Sequence, residues 1–247
     1  MSAASAADEF FRRHPLQRVE SPSRGLSFVL HLFGLASYAY SFAYLVLNPN
    51  PVNDSYGWHF QYLTILGLSL ATGTFIMGLI ADITLSPRIF AYKNALSVAS
   101  TPMEVVISIL YWGLRLIDER LVLPTWAPPI ATTADLSFHL IPSLLLTLDL
   151  LLFSPPYSIT FLPTSLLSLA IAFGYWFWVE LCFSHNGFYP YPIFAQLSTP
   201  WRVVLFAGSA AVFTGSTEGL KGVYGWVNGR GIEEVGVDGR GEVKKGQ

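Results

Sequence analysis

Three side chains whose types could do chemistry together, a hydroxyl, a guanidinium and an imidazole, are scattered along the chain at Thr64, Arg115 and His139. A threonine hydroxyl attacks a carbonyl carbon once a base takes its proton, and a histidine near its ordinary pKa is the usual base. Thr64 with His139 is therefore sufficient for acyl transfer, and Arg115 could grip a carboxylate through two parallel hydrogen bonds. Each has a plainer reading. A threonine in a membrane helix commonly donates to the carbonyl four residues back, here Phe60. Arg115 could reach for the interface or pair with Asp118 one turn along. His139 could serve helix packing alone.

The elements that must hold these groups are membrane helices. Of the 247 residues 52% are hydrophobic and 12% charged, against roughly 25% charged in an ordinary soluble domain. A net charge of −2 gives no electrostatic grip on nucleic acid, and the chain contains no Gly-rich phosphate loop or zinc-type Cys/His cluster. The single cysteine, Cys182, excludes an internal disulfide. No metal or organic cofactor is implied. The lipid bilayer is the expected partner, and protein partners are left open.

Residues 1–25 are polar and basic and are expected to form a disordered tail. Residues 26–226 should form an all-α, polytopic bundle of six transmembrane helices, followed by a Gly-rich, charged, disordered tail over 227–247. The expected spans are Leu26 to Leu47, Trp58 to Ala81, about Pro102 to Leu121, Asp135 to Phe153, Tyr157 to Val179, and Val203 to about Tyr224. Aromatic residues of the kind that sit at headgroup level front the second span and close the fifth. The fourth span is a leucine run interrupted by His139 and Asp149. An ionisable group in lipid costs roughly 2.5–3.5 kcal/mol, so both should face protein or water. Asp82 and Glu104 read as the ends of spans, and His31 as a group that packs or hydrogen-bonds within the first.

With six spans, eleven basic residues fall on the side of the termini: Arg12, Arg13, Arg18, Arg24, Arg88, Lys93, Lys221, Arg230, Arg240, Lys244 and Lys245. Three fall opposite, Arg115, Arg120 and Arg202. That bias predicts cytosolic termini, with Asn53, Trp126 and Asn186 on the other side. It also sets Thr64 and Arg115 each ~9 Å, and His139 ~6 Å, from the same non-cytosolic face, at 1.5 Å per residue.

The stretches YGWHFQYLTILGLSL, ISILYWGLRLIDERLVLP, HLIPSLLLTLD and NGFYPYPIF occur in order within these spans. Together they resemble the androgen-induced gene 1-like family, which includes the androgen-dependent TFPI-regulating protein, in a fungal-type form. The resemblance implies a multi-pass threonine hydrolase of fatty acid esters of hydroxy fatty acids, with Thr64 as nucleophile and His139 as catalytic histidine. Ten residues after the histidine, where animal members carry glutamate, this chain has Asp149. Where they carry paired histidines near the end of the fifth span, it has Phe183 and Ser184, so His185 is not carried over. The expected protein is an intramembrane lipid-ester hydrolase of the endomembrane system, at the endoplasmic reticulum. The alternative is a non-enzymatic membrane protein that binds a lipid or a protein partner with the same cavity.

Overall fold

The computed structural model describes residues 14–124 and 130–229. The expected tail beyond residue 229, and Trp126, lie outside the described residues, as do residues 1–13. The helices, in chain order, are α1 (Leu26–Leu47), α2 (Leu63–Thr84), α3 (Pro87–Ile117), α4 (Thr132–His139), α5 (Ile141–Phe153), α6 (Phe161–Asn186), the short α7 (Ile193–Gln196) and α8 (Thr199–Asn228). Five are long and apolar enough to cross a bilayer, and α4 with α5 forms a sixth, bent span. Leucines, valines and phenylalanines such as Val29, Phe33, Leu162, Leu166, Phe177 and Val204 point outward. In a bundle whose backbone bonds are satisfied inside each helix, those side chains are the face offered to lipid.

The third span differs from the sequence expectation. It begins at Pro87 rather than near Pro102, because Ser86 caps it by accepting the Ile89 N–H and Pro87 suits the first helical position. Pro102 is accommodated inside this 31-residue helix. The early start brings Lys93 into the protein interior, where it is fully buried. Glu104 consequently lies well inside α3 and is no span end. The second span also begins later than expected: Trp58–Gln61 forms a separate 3-10 turn, and α2 starts at Leu63.

The fourth span is broken. Pro142 has no N–H to give to the Phe138 carbonyl and its ring clashes there, so one helix ends at His139 and the next starts at Ile141. The two halves meet at 41°. The His139 carbonyl accepts from the Ser108 hydroxyl of α3, which satisfies a backbone group that the break leaves unpaired.

One core joins α1, α2, α4 and α5 around Tyr38, Leu68, Phe75, Phe138 and Leu146, and another joins α6 to α8 around Tyr175, Val179 and Phe206. Glycines permit the closest approaches. A Cβ on Gly34 would lie 2.3 Å from the Phe75 ring, and one on Gly78 would lie 2.4 Å from Nε2 of His31. Both ends of the described chain lie at one end of the bundle: Arg18 donates to the Val227 carbonyl, and the Tyr224 hydroxyl to that of Leu16. Within the segment read as an N-terminal tail, Gln17 and Ser21 are buried against that end.

At the same end four ionisable side chains from α1, α2, α3 and α5 are sealed from solvent. Nδ1 of His31 lies 2.6 Å from Asp82, and its Nε2 lies 3.2 Å from Asp149. Asp149 is paired in turn with Lys93, whose ammonium also donates to Ser154 at 2.6 Å. Asp82 further accepts from the Ser27 hydroxyl and the Ser23 amide. Asp82 is thus a tie between helices rather than the span end read from the sequence. An ionised carboxylate only accepts, so a protonated imidazole here would donate from both nitrogens and, with Lys93, balance the two carboxylates.

Candidate active site

At the opposite end, the backbone decides what the Thr64 hydroxyl can do. Ser69, Thr72, Thr74 and Thr84 of α2 all donate to the carbonyl four residues back. Thr64 does not, because α2 begins at Leu63 and the turn before it is 3-10, not α-helical; the Phe60 carbonyl accepts from Trp178 instead. Among the described residues, the partner of Thr64 Oγ1 is the Tyr191 hydroxyl, at 3.3 Å.

His139 ends α4. Its Nδ1 faces Oδ1 of Asp135, one turn earlier on the same helix, at 2.9 Å. Asp135 is held from two further sides: the Tyr111 hydroxyl donates to Oδ1 at 2.6 Å, and Nη1 of Arg115 forms an ion pair with Oδ2. The Tyr111 ring lies flat on the imidazole, 3.4 Å between centroids and 4° from parallel. A carboxylate fixed by Arg115 accepts the Nδ1 proton, which leaves the Nε2 lone pair as the basic position of a neutral ring. Asp135 is the member that reading the sequence missed. The available signal was an aspartate four residues before a histidine, a spacing that puts both on one helix face.

Thr64 and His139 line one cavity of about 130 Å³ together with Tyr62, Tyr111 and Tyr191, and it extends toward Asn48, Asn50 and His59. They are not hydrogen-bonded to each other among the described residues. Thr64, Tyr111, Val122 and Tyr191 also line a second cavity, of about 140 Å³, whose walls are otherwise almost wholly apolar and come from α3, α6, α7 and α8. Thr64 therefore stands where a chamber with polar groups on its wall adjoins an almost wholly apolar one.

Other sequence candidates are placed elsewhere. Arg115 pairs with Asp135 and not with Asp118, which caps the turn after α3 by accepting the Arg120 amide. Nη1 makes the Asp135 and Tyr111 bonds, so Nε and Nη2 form a second edge, on a side chain one-third exposed. Asp149 sits in the ionic cluster at the far end. His59 faces the cavity, with Nε2 3.2 Å from Asn53, and burial pulls its imidazole down to about 4. His185 stacks on Tyr56 at the bundle end. Glu180 joins α6 to α8 through Arg202 and accepts from Tyr189. Among the described residues no group of three or more His, Cys, Asp or Glu side chains is placed to hold a metal ion.

A broken multi-helix membrane bundle with an Asp-supported histidine and a displaced threonine at one end defines a class of polytopic membrane protein with a buried polar site. The FAR-17a/AIG1-like protein model matches residues 26–225, and the chain belongs to that family. A UPF0641 membrane protein of Schizosaccharomyces pombe is 37% identical over 196 residues, covering 78% of this chain and 87% of the relative. No solved structure matches the chain.

Proposed function

We infer that the protein is an intramembrane lipid-ester hydrolase, acting on fatty acid esters of hydroxy fatty acids, with Thr64 as nucleophile and His139 as base. The observation that carries this reading is the shared cavity: Thr64 is released from the usual backbone bond, and Asp135 holds the imidazole by Nδ1, with no partner for Nε2 among the described residues. In the first half-reaction the Thr64 oxygen bonds to the ester carbonyl carbon and its proton passes to Nε2. The C–O bond to the alkoxy group then breaks, and the Nε2 proton goes to the departing oxygen. In the second, Nε2 takes a proton from water as its oxygen bonds to the acyl carbon; the bond from that carbon to Thr64 Oγ1 then breaks, freeing the acid, and the Nε2 proton returns to Oγ1. Asp135 keeps the ring oriented and balances its transient charge.

Arg115 enters twice in this reading. Nη1 anchors Asp135, and the second edge of the guanidinium is available to the free carboxylate that such a substrate retains. The proposed setting is the endoplasmic reticulum with both termini cytosolic. The basic bias that supports this orientation persists when Lys93, engaged by Asp149, is left out of the count.

A fluorophosphonate probe tests the assignment. It should label the wild-type chain in membranes, Thr64→Ala should abolish labelling while the protein still inserts, and His139→Ala should weaken it strongly. Undiminished labelling of Thr64→Ala would place the nucleophile elsewhere. A wild-type chain that binds the lipid but neither reacts nor hydrolyses it would favour the non-enzymatic alternative.

A further inference from the structure

A hydrolase of this kind needs a donor for the charge that develops on the carbonyl oxygen, and the polar groups around Thr64 narrow the choice. The Tyr111 hydroxyl gives its proton to Asp135. The Tyr175 hydroxyl gives its proton to the Gln61 carbonyl at 2.9 Å while accepting the Leu63 N–H. The Tyr191 hydroxyl is different. Its oxygen meets the Thr64 hydroxyl itself, beside the Thr64 and Leu63 backbone, and it lines both cavities that Thr64 lines.

Resting on the hydrolase reading, we propose that the Tyr191 hydroxyl is the oxyanion donor, hydrogen-bonding the substrate carbonyl oxygen as Thr64 attacks. When the Thr64 oxygen bonds to the carbonyl carbon, its proton leaves for His139 and the C=O π pair moves onto the carbonyl oxygen. That oxygen is then separated from Thr64 Oγ1 only by the reacting carbon, within the region the Tyr191 hydroxyl already serves. As the tetrahedral carbon collapses, the pair returns, the alkoxy C–O bond breaks, and the Tyr191 proton stays on Tyr191 throughout.

The local sequence pre-sets this donor. Tyr191 lies between Pro190 and Pro192, and proline fixes its own φ and restricts the residue before it. Its ring is gripped edge-on by Tyr62 and Phe194, with centroids 5.4 and 5.8 Å away. Burial pushes the phenol above its ordinary range, so it donates a hydrogen bond and does not act as a base. A donor held before the substrate arrives needs little reorganisation during the reaction, which is where such groups gain their effect.

The test uses the purified full chain in nanodiscs and a palmitic acid ester of hydroxystearic acid, with release of palmitic acid as readout. Tyr191→Phe keeps the ring contacts and should lower kcat by roughly 10²–10³-fold, with KM changed less than about twofold and the pH–rate midpoint unmoved because His139 is intact. Replacing Tyr191 with 3-fluorotyrosine, a stronger donor of the same shape, should raise kcat and leave KM unchanged. This second variant tests the role even where the phenylalanine substitution does not fold. An unchanged kcat in Tyr191→Phe, alongside an inactive Thr64→Ala, would overturn the donor role alone. Full turnover by Thr64→Ala, or none by the wild type, would overturn the hydrolase reading beneath it.

Discussion

Each end of the bundle holds a buried histidine and aspartate beside a basic residue, yet the two groups differ in what the histidine has left to offer. At the end carrying the termini, both nitrogens of His31 meet carboxylates, and Lys93 occupies the remaining side of Asp149. At the other end, Asp135 takes only one nitrogen of His139, and the ring borders a cavity with a threonine on its wall. Residue types alone do not separate a fastening from a reactive centre. A lone pair left uncommitted beside a space for substrate does.

The largest expected effect exchanges the two histidines. His139→Ala should reduce ester turnover by at least roughly 10³-fold while the unfolding midpoint of the purified protein moves little, since a cavity already lies beside the ring. His31→Ala leaves two carboxylates facing one ammonium and should destabilise the bundle by about 3–5 kcal/mol, read as loss of folded protein on extraction. If the two variants fail in the same way, the contrast between the clusters is wrong.

A smaller effect sharpens the same distinction. Lys93→Met should destabilise by about 3–5 kcal/mol because Asp149 loses its main counter-charge, whereas replacing the pair together with apolar residues of similar volume should recover much of that loss. Activity measured on the folded fraction should stay near wild type in both. A double variant no more stable than Lys93→Met would argue that the ion pair is needed as such.

The smallest effect concerns Arg115. Arg115→Leu should raise KM for the free acid substrate more than for its methyl ester if the second guanidinium edge holds the carboxylate. A fall in kcat that is the same for both substrates would assign Arg115 to anchoring Asp135 alone.

Much of this arrangement is legible in the sequence. Leu26–Leu47 is read to the residue, because Gly25 and Asn48–Pro49 bracket a run free of Asp, Glu, Lys, Arg and Pro, and the resemblance singles out Thr64 and His139 for the site. The third span is misread because Lys93 and Glu104 look like signals against a membrane interior. Lys93 is neutralised by Asp149, more than fifty residues away in the chain, and no local pattern reveals that partner. The break in the fourth span is signalled by Pro142, but the leucine periodicity on both sides conceals it. Tyr191 reaches Thr64 from 127 residues away, a contact that depends on tertiary packing and has no local signature.

The glycine at position 78 carries a consequence for descent. The His31 ring fills the space that a methyl group there would need, so imidazole and glycine form one inherited unit rather than two independent choices. Among divergent relatives, a lineage that gained alanine at the equivalent of Gly78 is expected to have lost the histidine as well. With it would go the positive charge between Asp82 and Asp149, leaving two acidic positions open to drift toward neutral residues. A single hydrogen-to-methyl change would thus release His31, Asp82 and Asp149, on three helices, from mutual constraint.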